Sequence, residues 1–551
     1  MRELSERTIG DWLEFWAAET PDRECLIYSD RDLRYTWRQF NERVDRLAKG
    51  LLSIGVKKDD KVGVWATNVP DWVTYLYATA KIGAILVTVN TNYKQRELEF
   101  LCENSDMHTL CLTEGTREND FIDMVYKMLP ELKQCERGHI NSEKFPCLKN
   151  VVYMGSWKFR GMYNTGELLA DGEKVSDEAW KDAKAKVSCY DVINMQYTSG
   201  TTGFPKGVML THYGITNNGY FIGEGMGFTQ NDKLCVCVPM FHCFGIVLGA
   251  INCLVHGCAM VMVEEFNPLV VLASIHKERC TVLYGVPTMY IAEMHHPMFD
   301  MFDMTSLRTG VMAGCVCPID LMEEVSRKMH MTITTVYGLT ESSPGMTQTT
   351  VNDDTETRYT TVGRNLPYIE VKVLDPKTGE ECPDGVEGEM CTRGFNVMKG
   401  YYKDPVGTAE AIDKNGYLHS GDLGTKDLRT GCYKITGRIK DMIIRGGENI
   451  YPTEIEAFLR TMPGIKDVYV AAVPSKRYGE AVGAFIKLHD GVQMEMDDVR
   501  DFCKGQISRF KIPKYIFFMD EFPMTGSGKV QKFRLTEMSL DLCKKAGIEV
   551  I

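Results

Sequence analysis

The sequence lacks the features that mark several classes of protein. It has no excess of basic charge, since 63 lysine and arginine residues against 75 aspartate and glutamate residues give a formal net charge of −12. Proteins that bind nucleic acid or anionic membranes normally carry a basic surface, so both classes are disfavoured. The chain also has no internal repeat and no low-complexity tract. Charged residues at 25% and hydrophobic residues at 44% exclude a fibrous or disordered chain.

The N-terminus lacks the apolar segment that a secretory signal requires. Met1 to Gly10 is mostly polar, which predicts a cytoplasmic protein. Its 19 cysteines are then expected to be reduced thiols that fill the core. The closest pairs have C-x-C spacing in apolar runs, with no second pair or histidine at zinc-ribbon spacing, so a structural metal is disfavoured.

A single stretch, Phe244 to Val263, imitates a membrane span, because its 20 residues are long enough in principle. Asn252 and His256 interrupt it, and Gly257 is a typical helix C-cap. The pattern therefore predicts a buried helix followed by a buried strand, and no transmembrane segment.

Helix and strand patterns alternate from the start of the chain. The predicted elements are a helix from Thr36 to Gly55, a strand over 61–65, a helix over 71–82 and a strand over 84–89. This βαβ order predicts a largely parallel sheet flanked by helices. Residues 129–190 are more polar, and we expect them to form an excursion at the surface.

Further along the chain, glycine, aspartate and short alternating strands become dense, and after Asp441 a compact α/β unit begins. The fold class is therefore α/β. We predict a large N-terminal domain over 1–439 with flanked βα sheets, which includes a small β-rich subdomain at about 365–439. A small α/β domain over 440–551 follows.

A loop rich in small and hydroxylated residues carries the strongest local signal. Tyr197 to Val208 reads YTSGTTGFPKGV and follows a strand pattern over 192–196. Its glycines permit close backbone approach, its hydroxyls donate hydrogen bonds and Lys206 adds a positive charge, all of which suit a polyphosphate. A surface loop without a ligand is the alternative. It is not a Walker A loop, because Pro205, Lys206 and Gly207 replace Gly-Lys-Ser/Thr.

This loop is the first of six short motifs that extend along almost the whole chain. They are Tyr197–Val208, Pro239–Gly245, Tyr337–Glu341, His419–Leu423, Gly437–Asp441 and Pro523–Lys529. In this order the motifs resemble those of the acyl-adenylate-forming (AMP-binding) superfamily, which includes acyl-CoA synthetases, luciferases and the adenylation domains of peptide synthetases. Within it, the chain resembles acyl-CoA synthetases of the medium-chain fatty acid–CoA ligase type.

The resemblance implies residues for ATP and Mg²⁺. Thr340 would meet phosphate. Glu341, just beyond a strand pattern over 331–337, would bind Mg²⁺, which prefers carboxylate oxygens. Tyr337 would stack near adenine, Asp422 would accept both ribose hydroxyls and Arg438 would reach the nucleotide. The phosphate loop would contribute Thr198, Ser199, Gly200, Thr201, Thr202 and Lys206. Taken singly, these residues also fit a helix cap, a core tyrosine, a turn aspartate and a surface ion pair.

The resemblance further implies a mobile C-terminal lid. Lys440 occupies the hinge position, and Lys529 would stabilise the charge that develops as a carboxylate attacks ATP. Rotation about the hinge would then bring Gly446 and Gly447 to the site for CoA. Residues 441–551 hold 16 basic and 16 acidic residues, but 509–534 hold six basic against two acidic. A local basic patch thus surrounds Lys529.

The residues expected to line the acyl pocket predict which carboxylic acid is the substrate. By resemblance, His242, Gly314 and Cys315 contact the substrate, and Val316 stands where a smaller residue is common. The Pro239–Gly245 motif lacks the aspartate that pairs with the substrate amino group in the similar peptide-synthetase domains. The expected pocket lining is apolar and comprises Val238, Cys243, Phe244, Val286, Met289 and Cys315. We therefore predict an ATP-dependent acid–CoA ligase for short- to medium-chain fatty acids.

Two other functions stay open at this point. An arylate–CoA ligase on the same scaffold is one alternative. A catalytically silent nucleotide-binding regulator is the other, although Lys529, Glu341 and Asp422 are all present and disfavour it. The expected partners are a small carboxylic acid, ATP and CoA, with no nucleic acid, and a homodimer is left open.

Overall fold

A computed structural model describes residues 3–198, 205–315, 317–445, 448–475, 479–507, 509–524 and 529–545. Contacts between Cα atoms divide the chain into two compact units. The first unit contains 1–371 and 392–418, and the second contains 372–391 and 419–551. The β-rich strands predicted at the end of the large domain therefore group mostly with the C-terminal residues.

The strands of the first half of the chain are β1 (Glu24–Tyr28), β2 (Leu33–Thr36), β3 (Lys61–Trp65), β4 (Ile85–Thr88), β5 (Met107–Leu112), β6 (Asn150–Tyr153), β7 (Tyr163–Asn164), β8 (Val192–Thr198), β9 (Lys206–Thr211), β10 (Lys233–Val236), β11 (Ala259–Met262) and β12 (Val282–Gly285). Those of the second half are β13 (Thr309–Met312), β14 (Thr332–Thr334), β15 (Val336–Gly338), β16 (Gly345–Gln348), β17 (Arg364–Asn365), β18 (Ile369–Leu374), β19 (Gly388–Gly394), β20 (Gly400–Tyr401), β21 (Leu418–Lys426), β22 (Tyr433–Arg438), β23 (Ile443–Arg445), β24 (Glu448–Ile450), β25 (Ile465–Ser475), β26 (Gly479–Leu488) and β27 (Tyr515–Phe518).

The α-helices are α1 (Ile9–Glu19), α2 (Trp37–Ser53), α3 (Pro70–Ile82), α4 (Gln95–Asn104), α5 (Phe121–Met128), α6 (Thr165–Gly172), α7 (Asp177–Ala185), α8 (His212–Gly225), α9 (Asn252–His256), α10 (Pro268–Glu278), α11 (Pro287–Met294), α12 (Ile319–Lys328), α13 (Thr355–Thr360), α14 (Pro405–Ala411), α15 (Pro452–Leu459), α16 (Met496–Cys503) and α17 (Lys532–Lys545). A π-helix spans Phe244–Ile251, and 3₁₀ turns span Pro130–Lys133, Phe299–Met301, Thr340–Ser342 and Ile439–Asp441.

Two large sheets form the core of the first unit. One has the strand order β20-β9-β8-β4-β3-β5-β6-β7, and the other has the order β14-β13-β12-β10-β11-β1-β2. Strands β3, β4, β5 and β6 pair in parallel, as their βαβ sequence pattern predicts. Helix α2 begins after Thr36, whose side chain accepts from the Gln39 N–H in a capping box. The predicted α/β class and its flanked sheets are confirmed.

The apolar run from Phe244 to Val263 divides as predicted into helix and strand. The π-helix continues into α9, Gly257 ends α9 with a left-handed φ of 67°, and the buried strand β11 follows. A π-helix was not predicted, because its wider turn has no separate sequence signal. In the described part of the chain, no helix is both long and apolar enough to cross a bilayer.

Two predictions of secondary structure were wrong. Residues 129–190 are not only a surface excursion, since they contain β6 and β7 at one end of the eight-stranded sheet. The single strand predicted over 331–337 is two strands, because β14 belongs to the seven-stranded sheet and β15 to a three-stranded sheet with β16 and β17. A continuous strand pattern does not reveal where a chain passes from one sheet to another.

The second unit contains two smaller sheets. Strands β18, β19, β21 and β22 form one sheet. Strands β23, β24, β25, β26 and β27 form the other. Helices α15 and α16 pack on the five-stranded sheet through a buried cluster that includes Ile455, Leu459 and Val499. The compact α/β unit predicted after Asp441 is thus present.

Most cysteines fill these cores, as predicted. Thirteen of the 19 are buried, four are half-buried and only Cys147 and Cys315 are exposed.

Candidate functional site

A tight turn presents Thr340 and Glu341 between two antiparallel strands. Strand β15 ends at Gly338, the 3₁₀ turn Thr340–Ser342 follows, and β16 begins at Gly345. A side chain on Gly338 would meet the Pro344 carbonyl oxygen at 1.9 Å, so only glycine permits this closed turn. Tyr337 lies on β15 directly before it, opposite Thr347. The sequence motif is therefore one rigid element.

The Glu341 side chain is buried beside a neutral donor. Only 9% of Glu341 is exposed, and the Tyr401 hydroxyl donates to its Oε1 at 2.9 Å. The Met398 N–H also donates to the Glu341 carbonyl at 2.8 Å. Among the residues that the structure describes, no lysine or arginine forms an ion pair with this carboxylate. A buried carboxylate without a cationic partner is a suitable ligand for a hard cation such as Mg²⁺.

The phosphate-loop lysine lies against the same tyrosine. Thr198 ends β8 and pairs with Lys206 at the start of β9, so the two strands hold the ends of the loop together. The Lys206 ammonium is 4.8 Å from the centre of the Tyr401 ring and 3.1 Å from Asp404 Oδ2. The predicted loop residues Ser199, Gly200, Thr201 and Thr202 lie outside the described residues.

The Pro239–Gly245 motif, which carries the predicted acyl residue His242, also contacts the turn that holds Glu341. His242 lies in a turn in which its N–H donates to the Pro239 carbonyl at 3.2 Å. Cys243, the next residue, has its Sγ 3.8 Å from Thr340 Oγ1. A side chain on Gly245 would meet the Pro239 carbonyl oxygen at 2.3 Å, so glycine is required for this close approach. Cys243, which follows the predicted acyl residue His242, thus contacts the predicted phosphate residue Thr340.

Gly314 and Cys315 follow strand β13. Gly314 has a φ of 92°, in the left-handed region. Both residues are exposed, and a side chain on Gly314 would contact Val286 Cγ1 at 3.2 Å. Val316, which the sequence analysis placed in the pocket, lies outside the described residues.

In the second unit, Asp422 and Arg438 are paired across two strands. They face each other in the register of β21 and β22, and Arg438 Nε lies 2.9 Å from Asp422 Oδ1. The side chain of Asp422 is 18% exposed, which leaves its carboxylate accessible to a ligand.

Lys529 is exposed directly before Val530, and residues 525–528 lie outside the described residues. An antiparallel bridge joins Met524 to Val530, and the Gln531 N–H donates to the Pro523 carbonyl at 2.8 Å. Lys440 is exposed in the 3₁₀ turn after β22. Gly446 and Gly447 lie outside the described residues.

Comparisons with known proteins agree with the sequence motifs. The AMP-binding enzyme family matches residues 13–402, and the AMP-binding enzyme C-terminal domain matches residues 454–529. The chain belongs to the AMP-binding enzymes.

Relatives of this AMP-binding enzyme share nearly its whole length. YngI of Bacillus subtilis (strain 168), provisionally named an acyl-CoA synthetase, is 48% identical over 98% of this chain and 99% of its own. The mitochondrial medium-chain acyl-CoA ligase ACSF2 of Danio rerio is 38% identical over 97% of this chain and 88% of its own. The crystal structure of ATP-bound MatB from Rhodopseudomonas palustris has 26% identity and a TM-score of 0.80, and the match covers 97% of this chain and 99% of that one.

Several residues of this AMP-binding enzyme were missed by the sequence analysis. Tyr401 and Asp404 lie in Gly400-Tyr-Tyr-Lys-Asp404, whose aromatic and acidic residues before a helix-starting proline were an available signal. Glu389 and His419 support the strand that carries Asp422. His419 stood in a quoted motif but received no role.

Proposed function

We propose that this AMP-binding enzyme is an ATP-dependent acid–CoA ligase for short- to medium-chain fatty acids. The substrate carboxylate attacks the α-phosphorus of ATP, which forms acyl-AMP and releases pyrophosphate. The CoA thiolate then attacks the acyl carbonyl, which forms the thioester and releases AMP. Each half-reaction joins one nucleophile to one electrophile and expels one leaving group, so no oxidant or reductant is needed.

The contacts of the Glu341 turn carry this proposal. On one side, Glu341 reaches Tyr401, whose ring faces the phosphate-loop lysine. On the other side, Thr340 contacts Cys243 of the predicted acyl motif. Phosphate groups and the end of an acyl chain would therefore meet at one rigid turn, as acyl transfer to a nucleotide requires.

The residues at this turn fit Mg²⁺. Glu341 would hold it, since its buried carboxylate has a neutral hydrogen-bond donor and no cationic partner among the described side chains. Bound Mg²⁺ would neutralise charge on the phosphates of ATP. Lys206 would add a second positive charge from the loop, and Thr340 would donate its hydroxyl.

The apolar surroundings of the acyl motif support an aliphatic acid. Cys243, Phe244, Val286 and Met289 were predicted to line the pocket, and the Phe244 ring lies 5.9 Å from that of Tyr284. The printed name of the ACSF2 relative also points to medium-chain acids. Because each buried methylene contributes only about 0.8 kcal/mol, we expect a broad preference for chain length.

The C-terminal residues complete the proposal. Lys529 would approach the α-phosphate during adenylate formation, and Gly446 and Gly447 would line the path of CoA after rotation about Lys440. The exposure of Lys529 supports this, because a buried lysine could not be delivered to a ligand. Asp422 and Arg438 would bind the ribose and phosphate of the nucleotide.

A substrate panel tests the function. Fatty acids of four to twelve carbons and benzoate are compared by AMP release and by the mass of the thioester. We expect the highest kcat/KM among the fatty acids. A preference for benzoate would support the arylate alternative, and no product with any acid would support a silent regulator.

The role of Lys529 is tested in the first half-reaction alone. Lys529→Ala is expected to lower the rate of acyl-AMP formation about 10²-fold or more, because a positioned charge is lost from the transition state. Arg534→Ala, which removes another exposed basic residue of the same patch, is the matched control. Equal rates for Lys529→Ala and wild type would show that the assignment is wrong.

The cytoplasmic compartment and the homodimer stay predictions. Cell fractionation tests the first, and a mass measurement in solution tests the second.

A further inference from the structure

A buried carboxylate holds the backbone directly before Asp422. Glu389 lies on β19 and is 8% exposed. Its Oε1 accepts a hydrogen bond from the Gly421 N–H at 2.9 Å, and its Oε2 lies 2.7 Å from His419 Nδ1. One side chain therefore fixes two positions of β21 on either side of Ser420.

The backbone at this point has an unusual course for a strand. Gly421 has a φ of 72°, which is in the left-handed region. A side chain on Gly421 would meet no atom within 4 Å, so its backbone angle and not its surroundings favours glycine. Ser420 Oγ accepts from the Asp422 N–H at 3.0 Å. The direction in which the Asp422 side chain projects from β21 thus depends on these local contacts.

A thiol also lies against the His419 nitrogen that Glu389 contacts. Cys391 is two residues after Glu389 on β19, so both side chains lie on the same face of the strand. The Cys391 Sγ is 3.5 Å from His419 Nδ1. The carboxylate and the thiol of β19 therefore meet the His419 ring at the same nitrogen, which restricts its rotation.

Asp422 is thereby held from two directions. Its carboxylate pairs with Arg438 on β22, and its backbone follows the segment that Glu389 holds. A charged acceptor makes stronger hydrogen bonds than a neutral acceptor. Removal of a partner costs more free energy when the acceptor is buried, because water does not replace the lost bond. Glu389 is therefore well suited to fix this segment.

We propose that Glu389 is a positioning residue for the nucleotide. Through Gly421 and His419 it keeps the Asp422 carboxylate oriented to accept the two ribose hydroxyls of ATP. The inference rests on the proposed function, which assigns those hydroxyls to Asp422. Glu389 itself touches no substrate in this scheme.

The test compares ATP with 2′,3′-dideoxy-ATP, which lacks both ribose hydroxyls but can still form an adenylate. The readout is the ratio of kcat/KM for the two nucleotides, measured in the full-length enzyme. Glu389→Ala is expected to lower this ratio about tenfold by raising KM for ATP, with little change for the dideoxy nucleotide. A merely structural residue would lower both values equally, and that result would overturn the inference.

Two further variants keep the test decisive. Glu389→Gln keeps an oxygen that can accept from Gly421, so its ratio is expected to stay within about twofold of wild type; a loss as large as in Glu389→Ala would count against the inference. Glu389→Asp keeps the charge but is too short to reach both partners. If Glu389→Ala does not fold, an unchanged ratio in Glu389→Asp would overturn the inference, and a reduced ratio would support it.

Asp422→Asn separates failure of the inference from failure of the proposed function. If Asp422→Asn leaves the ratio unchanged, the ribose assignment itself is wrong. If Asp422→Asn lowers the ratio and Glu389→Ala does not, only the role of Glu389 is wrong. When both are right, the double variant is expected to be no worse than Asp422→Asn, because both changes remove the same interaction.

Discussion

Two carboxylates with the same chemistry have different partners in the two units. Glu341 receives a hydrogen bond from the neutral hydroxyl of Tyr401, whereas Asp422 pairs with the guanidinium of Arg438. The charge of Glu341 is therefore not balanced by an ion pair among the described residues. The charge of Asp422 is balanced before any ligand binds.

This difference supports the different roles toward ATP that are proposed for the two residues. A carboxylate whose charge is unbalanced attracts a cation, and burial strengthens the attraction because water screens it less. A carboxylate already paired with arginine has less affinity for a cation, but its remaining lone pairs still accept from hydroxyl groups. Under the proposed function, partner charge more than residue type would separate the metal ligand from the ribose acceptor.

Removal of charge at Glu341 is expected to have the largest effect. Glu341→Gln should lower the rate of acyl-AMP formation by about 10²-fold or more and raise the Mg²⁺ concentration needed for half-maximal activity, because a neutral amide binds the cation weakly. The measurement is a Mg²⁺ titration of pyrophosphate release.

An exposed glutamate provides the control for that change. Glu356→Gln makes the same substitution in the first turn of α13 and is expected to leave the titration unchanged. If Glu341→Gln and Glu356→Gln gave the same Mg²⁺ dependence, Glu341 would not be a metal ligand.

The same change at Asp422 is expected to cost less. Asp422→Asn keeps one acceptor oxygen, so we expect a loss of about tenfold in kcat/KM for ATP and no change in the Mg²⁺ requirement. Asp384→Asn is the control, because it makes the same substitution away from Asp422. Asp384 lies 3.9 Å from Lys426, the last residue of β21. A shift in Mg²⁺ dependence at Asp422 would remove the distinction between the two carboxylates.

Site residues in contiguous motifs were predicted from the sequence, whereas residues that contact the site from distant parts of the chain were missed. Thr340, Glu341 and Asp422 stand in contiguous motifs, and the α/β pattern of β3, α3 and β4 was clear from local periodicity. Tyr401 is 60 residues from Glu341, and Glu389 is 32 residues from Gly421. The pairing of β19 with β21 creates the second contact, and the first joins a strand of the eight-stranded sheet to the 3₁₀ turn of another sheet. A single sequence does not state which strands pair or which elements pack together.

The same limit explains the error at β14 and β15. Their strand-forming residues continue without a glycine or proline from Met331 to Tyr337, yet the chain changes sheets at Thr335. A strand pattern reports which face is buried but not the sheet against which it is buried. The Thr-Glu pair after β15 was nevertheless singled out, because it stands in a short contiguous motif.

The smallest expected effect tests whether a neutral partner matters for Glu341. Tyr401→Phe removes one hydroxyl and keeps the ring that faces Lys206. Without that hydrogen bond the carboxylate is less fixed, so we expect the half-saturating Mg²⁺ concentration to rise about three- to tenfold while kcat at saturating Mg²⁺ stays near the wild-type value. Tyr402→Phe is the matched control, since its hydroxyl donates to Asp106 at 2.8 Å and should leave the Mg²⁺ titration unchanged. If Tyr401→Phe changed kcat and not the Mg²⁺ requirement, the hydroxyl would serve the reacting groups and not the orientation of Glu341, and the contrast with Asp422 would then depend on Arg438 alone.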